Sequence, residues 1–383
     1  MTRKAPYIGR FAPSPSGPLH AGSIVAALAS YLDAKAHDGL WLLRIEDIDP
    51  PRVEAGADAR IRHQLRFLGL NWDAPPWYQS ARVDRYQAAF ETLRQQGRIY
   101  GCGCTRREIA AAWAQRKAPQ TQQQPEAAPR RQALQLSEPA PAWHEKTQRR
   151  DRHDQSPAHV NRPESTSPAH GRARKNAVIK HSAFNQTPIL PGAVVGTDET
   201  PYLGTCRHGL PSGRHARAWR FRVSDEHVAF EDRWLGPQHQ HPIKDCGDFV
   251  LRRADGVWAY QLAVVVDDAE AGVTDIVRGA DLLSSTGRQI LLQKALGYAT
   301  PRYTHLPLLM GENGQKLSKQ NGAPGIDSTG RVDAVDILND ACRLLGLRQP
   351  GSRDPVVWLT AATEQWRRWI KRQVPAADPG LQS

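Results

Sequence analysis

Cysteine is scarce, with five in 383 residues. That excludes a disulfide-stapled scaffold and leaves metal ligands or buried thiols as the uses for it. Long apolar runs are missing. No stretch reaches the about 18 residues that a membrane-crossing helix needs, and residues 1–10 lack the apolar centre of a signal peptide. A soluble, cytoplasmic chain with no membrane partner is expected. Acidic residues are in deficit, 39 Asp and Glu against 51 Lys and Arg, for a formal net charge of +12. The surplus suits a polyanionic partner such as nucleic acid and says nothing about fold. The length suggests two or three domains.

Large apolar residues are also sparse along 113–199, until Val178. That segment holds ten of the 29 prolines, Gln122-Gln123-Gln124, and a charge of +5. Such a composition buries too little apolar surface to offset its ordering entropy, so a disordered insertion is expected. The other 296 residues keep a charge of +7. Arg149–Arg152 and Arg172–Lys175 are basic, so the insertion reads as an RNA-binding arm or as an inert linker. Its histidines (His144, His153, His159, His170, His181) lack regular ligand spacing.

The flanking segments alternate strands and helices. Tyr7–Ala12 and Leu40–Ile45 read as strands, and Ile24, Leu28, Tyr31 and Leu32 have helical spacing. Helices are expected over Ala57–Leu68, Val83–Gln96 and Ser285–Leu296. Trp258–Val266 reads as a buried strand and Ile276–Arg278 as another. This is the pattern of an α/β fold with a parallel sheet. Two amphipathic helices follow, near Val332–Leu345 and Val357–Val374. Trp358, Ala362, Trp366, Trp369 and Ile370 line one face of the second, as core packing would require.

Two motifs carry chemistry. In Arg10-Phe-Ala-Pro-Ser-Pro-Ser-Gly-Pro-Leu-His20-Ala-Gly22 a strand ends, a rigid turn follows and a helix begins. Helix N-termini bind anions, Gly17 and Gly22 allow close approach, and His20 can donate to a phosphate. Lys316-Leu-Ser-Lys-Gln320 follows Gly311-Glu-Asn-Gly-Gln. Its two lysines suit charge developing on a phosphoryl group. Taken alone, the first is a plain strand–turn–helix connection and the second a solvated loop.

Together the motifs resemble the paired HIGH and KMSKS signatures of class I aminoacyl-tRNA synthetases. Arg10–Gly17, Arg44-Ile-Glu-Asp-Ile-Asp49, Tyr260 with Val266-Asp-Asp268, and Ile276-Val-Arg-Gly-Ala-Asp-Leu-Leu283 resemble the glutamyl/glutaminyl branch. The resemblance implies a Rossmann-like parallel sheet and ATP-dependent activation of L-glutamate, with Mg²⁺ accompanying ATP. It implies His20, Lys316 and Lys319 as catalytic residues, and His20, Gly22, Lys316, Ser318 and Lys319 as the ATP site. For glutamate it implies Glu46 on the ammonium, Arg10 and Arg278 on carboxylates, and Ser14 and Tyr260 completing the pocket. A planar guanidinium fork pairs bidentately with carboxylate. Which arginine takes the side-chain carboxylate stays open.

Cys102-Gly-Cys104 precedes the insertion and Tyr202-Leu-Gly-Thr-Cys206 follows it. Structural zinc takes four ligands, and spacing alone favours His208 as the fourth. The Cys-x-Cys, Tyr-x-x-x-Cys pattern is similar to the glutamyl-queuosine tRNA(Asp) synthetases, truncated paralogues of glutamyl-tRNA synthetase. That resemblance implies one structural Zn²⁺ on Cys102, Cys104, Tyr202 and Cys206. Closure entropy grows by only roughly 0.6 kcal/mol per doubling of loop length, so a long insertion is compatible with the site. Cys246 and Cys342 read as ordinary, partly buried residues.

The resemblance thus implies an inserted zinc subdomain and a small helical C-terminal part. The expected segments are 1–100 and 246–300 for the two catalytic halves, 101–245 for the zinc-binding part with its insertion at 113–199, and 301–383 for the KMSKS-type loop and helices. Only 63 residues follow Gln320, too few for an anticodon-binding domain of roughly 100 residues. The implied acceptor is then the cyclopentenediol of queuosine in tRNA(Asp), bound by a monomer. The rivals are a truncated glutamyl-tRNA synthetase charging a 3′ end, and an inactive RNA-binding relative.

Overall fold

A computed structural model of the chain describes residues 6–117, 200–309, 325–326 and 328–373, which fall in one compact unit. Strand β1 (Ile8–Phe11) feeds helix α1 (Ala21–Ala36), which returns the chain to β2 (Leu40–Ile45). β1 and β2 pair in parallel, Ile8 opposite Leu40 and Phe11 opposite Leu43. The turn between α1 and β2 is tight: a Cβ on Gly39 would lie 2.4 Å from the carbonyl oxygen of Tyr7. Helix α2 (Ala57–Phe67) leads to the short β3 (Trp77–Tyr78), which extends the sheet on the far side of β2.

After α3 (Val83–Gln95), strand β4 (Ile99–Cys102) and helix α4 (Arg106–Lys117), the described chain resumes at Thr200. Then come β5 (Ala218–Phe221), the hairpin β6 (Val228–Asp232) and β7 (Gly236–Gln240), a single turn α5 (Pro242–Asp245), and β8 (Val250–Arg252). Helix α6 (Tyr260–Glu270), β9 (Asp275–Gly279), α7 (Leu283–Leu296) and β10 (Arg302–Leu306) complete the α/β part. β10 pairs in parallel with both β9 and β6, and β7 forms an antiparallel edge. β4, β5 and β8 make a separate antiparallel sheet. Sheet and sequence segment therefore do not coincide. Residues 228–240 join the larger parallel array through Asp232 beside Tyr303, while 250–252 join the smaller sheet.

The N–H of Thr274 donates to the carbonyl of Ile8 at 2.9 Å, which sets β9 against the edge of β1. From β1 the chain thus runs outward to β2 on one side, while β9 and β10 lie on the other. A reversal of this kind opens a crevice at the carboxyl ends of the strands.

One expectation is overturned. Trp258–Val266 is not a strand, because Tyr260–Glu270 is helical. Leu262, Ala263, Val264, Val265 and Val266 are all buried. A helix covered on every side shows no 3.6-residue period, and three consecutive valines mimic a strand. A second concerns the start of the insertion, since Trp113–Lys117 belongs to α4. Thr105 and Glu108 cap that helix reciprocally: Thr105 N–H donates to the Glu108 carboxylate at 2.7 Å, and Glu108 N–H to Thr105 Oγ1 at 3.2 Å. The rest of the proline-rich segment and its histidines lie outside the described residues.

Helices α8 (Ala334–Leu344) and α9 (Pro355–Gln373) pack on α1. The aromatic stripe of α9 is core, as its spacing indicated. Trp358, Ala362 and Trp366 are buried, and Trp369 and Ile370 pack beside them. Trp366 Nε1–H donates to Asp33 Oδ1 at 2.9 Å, and Arg233 grips the same carboxylate. Cys246 is largely buried and Cys342 fully so, and burial pushes the Cys342 thiol up to about 12.

Candidate active site and metal centre

A cleft of about 1740 Å³ opens at the carboxyl ends of β1, β2 and β9. Arg10, Ser14, His20, Gly22, Glu46, Tyr260 and Arg278 all line it. The fold thus brings together residues from four separated stretches of sequence. α1 starts at the cleft with His20 as its N-cap residue, has no acidic residue in its first turn, and has no side-chain cap. The orphan N–H groups of that turn therefore present positive potential to the cleft. Lys316, Ser318 and Lys319 lie outside the described residues.

On one wall two arginines share a carboxylate. Arg10 Nε–H donates to Asp268 Oδ1 at 3.1 Å, and its Nη2 lies 3.3 Å from Oδ2. Arg44 Nη1 donates to Asp268 Oδ1 at 2.6 Å, and its Nη2 to Glu46 Oε1 at 3.2 Å. All four residues have side chains no more than 10% exposed. Burial opposes the Asp268 charge, yet Arg10 and Arg44 overcome it and hold the carboxyl below its usual range. The balance at Glu46 is opposite: burial raises its pKa, and Arg44 and Arg10 offset this only in part.

Ionised Glu46 is therefore short of positive charge. An acid whose pKa is raised on folding contributes stability at low pH and loses it as pH rises through the raised value. At neutral pH, Glu46→Gln is thus expected to raise the melting temperature by roughly 2 °C while weakening the binding of a cationic ligand group. A thermal melt with and without ligand checks this, and a fall in Tm without ligand would contradict it.

Arg278, also buried, lies on the neighbouring strand β9 and lines the same cleft. Its Nε–H donates to His305 Nε2 at 3.0 Å, Nη1 to Gln289 Oε1 at 2.8 Å, and Nη2 to Thr286 Oγ1 at 2.9 Å. Asp268, Gln289, Thr286 and His305 were not singled out as site residues from sequence. Asp268 stood in a quoted motif, but two residues past a supposed strand, Trp258–Val266. On a helix Gln261 and Asp268, seven apart, share one face.

The cysteines converge beside the cleft. The Sγ atoms of Cys102, Cys104 and Cys206 lie within 4.8 Å of one another. Tyr202 Oη is 3.4 Å from Cys102 Sγ and 3.6 Å from Cys104 Sγ, and the two sulfurs of Cys104 and Cys206 are 3.5 Å apart. With metal–sulfur and metal–oxygen bonds near 2.3 and 2.0 Å, a tetrahedron has S···O edges of about 3.5 Å and S···S edges of about 3.8 Å. Three thiols and a phenol at these separations fit one metal ion. His208, the residue that spacing favoured, is exposed and outside the cluster.

Without a cation, burial pushes the Cys104 thiol up to about 11 and raises the Tyr202 phenol further. A central dication would reverse both. Tyr202 Oη already accepts the N–H of Cys206 at 2.8 Å, and Arg220 lies 3.9 Å from its ring. Gly247 secures the tyrosine's backbone, since a Cβ there would meet Tyr202 O at 2.1 Å and φ is +67°. Tyr202 lines the cleft beside Cys246, so the cluster adjoins its wall.

A family model described as the catalytic domain of class I (E and Q) tRNA synthetases matches residues 8–166 and 213–356. The glutamyl-Q tRNA(Asp) synthetase of Bordetella bronchiseptica is 46% identical over 361 residues, covering 94% of this chain and 88% of that protein. The protein of the same name from a Janthinobacterium species is 44% identical, covering 97% and 99%. The chain belongs to the glutamyl-Q tRNA(Asp) synthetase family. A glutamate-tRNA synthetase structure from Elizabethkingia anophelis superposes with a TM-score of 0.61 at 22% identity, covering 94% of this chain and 65% of that one. The class I synthetase fold expected from the paired motifs is therefore present, with its parallel sheet. No helix among the described residues is long and apolar enough to cross a membrane.

Proposed function

We propose that this chain activates L-glutamate with ATP, without tRNA, and passes it to the queuosine cyclopentenediol in the anticodon of tRNA(Asp). The observation that carries the activation step is the pairing of opposite buried charges in one cleft. Glu46 lacks full compensation, and among the described residues Arg278 has only uncharged hydrogen-bond partners. An amino acid with an ammonium group and a side-chain carboxylate matches both. Its α-carboxylate then reaches the α1 N-terminus. There an α-carboxylate oxygen attacks the α-phosphorus of ATP, the bond to the bridging oxygen breaks, and pyrophosphate leaves. His20 and the first-turn N–H groups stabilise the charge on the phosphates, as do Lys316 and Lys319. Mg²⁺ accompanies the ATP. Gly22 and Ser318 are assigned to nucleotide binding, and Ser14, Tyr260 and Arg10 to the amino-acid pocket.

In the second step a cyclopentenediol hydroxyl attacks the adenylate's carbonyl. AMP leaves and the hydroxyl proton goes to its phosphate. A structural Zn²⁺ on Cys102, Cys104, Tyr202 and Cys206 holds the neighbouring wall, and the donor geometry supports that assignment. The net charge of +12 suits an RNA substrate. The enzyme would act as a cytoplasmic monomer.

The test incubates the protein with ATP, labelled glutamate, and tRNA(Asp) with or without queuosine, followed by nuclease mapping. Label should appear only on queuosine-containing tRNA, in the anticodon fragment. Label on the terminal adenosine would overturn the acceptor assignment.

A further inference from the structure

We infer that the preference for a carboxylate over a carboxamide side chain is set by the uncharged cage of His305, Gln289 and Thr286 around Arg278. The inference rests on the glutamate chemistry proposed above and concerns which amino acid is selected.

A guanidinium has five N–H groups. Three of those on Arg278 go to neutral acceptors, on His305, Gln289 and Thr286. One N–H on each Nη is left over, a spacing that suits the two oxygens of a carboxylate. The nearest aromatic face, Tyr303 at 5.2 Å from the guanidinium carbon, is also uncharged. His305 can accept at Nε2 only with its proton on Nδ1, and Nδ1 faces Asp232 Oδ2 at 2.6 Å. Asp232 therefore fixes the acceptor tautomer. Burial keeps the ring neutral, with its pKa down at about 4.

The contrast with Arg10 and Arg44 gives this cage its meaning. Arg10 and Arg44 both spend their charge on Asp268. The Asp232 carboxylate is one side chain removed from Arg278, and it accepts from the backbone N–H groups of Trp234, Leu235 and His305. Arg278 thus meets a ligand with its charge undiminished. A carboxamide would offer one oxygen, and its NH₂ would face an N–H donor. Discrimination between such groups is large where a buried polar group would be left unpaired. The α-carboxylate is the nucleophile, and a lasting ion pair would blunt it. The side-chain carboxylate is therefore the partner suited to a permanent cation.

Gln289→Glu tests this with almost no change in size. It keeps an acceptor on Nη1 and adds a counter-charge. Gln289 Nε2 also donates to Gln261 Oε1 at 3.1 Å, and the Gln261 amide can turn over to donate to the new carboxylate. Glutamate- and glutamine-dependent ATP–pyrophosphate exchange is then measured for wild type and variant. Glutamate kcat/KM should fall about tenfold to a hundredfold while that for glutamine is kept or rises. Thr286→Asp places the charge on Nη2 instead and should act in the same direction; it serves if Gln289→Glu does not fold. A folded charged variant that keeps the wild-type glutamate-to-glutamine ratio within about twofold, or loses both equally, overturns the cage as discriminator. Absence of glutamate-dependent exchange in the wild type would instead defeat the activation reading itself.

Discussion

Asp268→Asn is expected to lower glutamate-dependent pyrophosphate exchange by about a hundredfold or more and to destabilise the protein by about 3–5 kcal/mol. Asp268 contacts both Arg10, at 3.1 Å, and Arg44, at 2.6 Å. Taking it away leaves two buried guanidinium groups with little more than Glu46 and the more distant Asp267, 3.7 Å from Arg44. An asparagine can accept from one arginine through its oxygen, but its NH₂ then faces the other. The cost belongs to the stranded charges and not to the pair itself. The catalytic loss follows because Arg10 and Glu46 are both held through this node, and a shift of about 1 Å in a positioning group costs roughly a hundredfold.

The pH dependence separates this cause from general damage. Asp268 has a lowered native pKa. Its stabilising contribution is therefore complete above the unfolded carboxylate value and disappears as pH falls through the native one. Wild type should lose stability on the acid side, below about pH 4, with a slope that the variant lacks. Urea unfolding between neutral and acid pH measures both quantities. A variant within about 0.5 kcal/mol of wild type at neutral pH would show that the node does not carry this load.

Much of this arrangement could be read from residues in order, and the unread part has a common cause. β2 emerged with the bounds the apolar run gave, and α1, α2, α3, α7, α8 and α9 emerged within a few residues. The periods of α2, α3, α8 and α9 are clean because each has one wet and one dry face, whereas α1 and α7 are largely buried. α6 is buried as well, but its run Val264–Val266 mimics a strand, and that misreading hid the direction in which Asp268 points. The cleft-lining residues were reached through local motifs, each a short contiguous string. The cage around Arg278 was not, because Thr286, Gln289 and His305 belong to two elements, α7 and β10, and none is unusual alone. Their role exists only once β9 and β10 lie side by side with Arg278 opposite His305 in register. The metal cluster sits between these cases. Its ligand types were visible as a spacing that alone favoured His208; the family resemblance pointed to Tyr202, whose phenol oxygen lies among the sulfurs.

Cys206→Ser is expected to remove the bound metal and to unfold the wall of the cleft that the cluster supports. Metal binding at structural zinc sites contributes on the order of 10 kcal/mol, so even partial loss of affinity is felt as stability. Cys206 joins Cys104 at 3.5 Å, and its backbone N–H holds Tyr202 Oη. Tyr202 in turn carries the backbone bridge to Gly247, and its N–H donates to Cys246 O at 3.1 Å. The next residue but one, Asp248, anchors Val223 N–H at 2.8 Å and Arg207 at 3.1 Å. Loss of the metal should therefore spread from the cysteines to Cys246, Asp248 and Phe249, which line the cleft. Zinc content by elemental analysis should fall from about one per chain to under about 0.1, with a lowered Tm and impaired exchange. Tyr202→Phe should weaken zinc retention against a chelator, whereas His208→Ala should leave it unchanged because His208 is exposed and outside the cluster. Wild-type protein prepared without chelator and holding less than about 0.5 zinc per chain would reject the site. Retention unaffected by Tyr202→Phe but lost on His208→Ala would restore the histidine that spacing alone preferred.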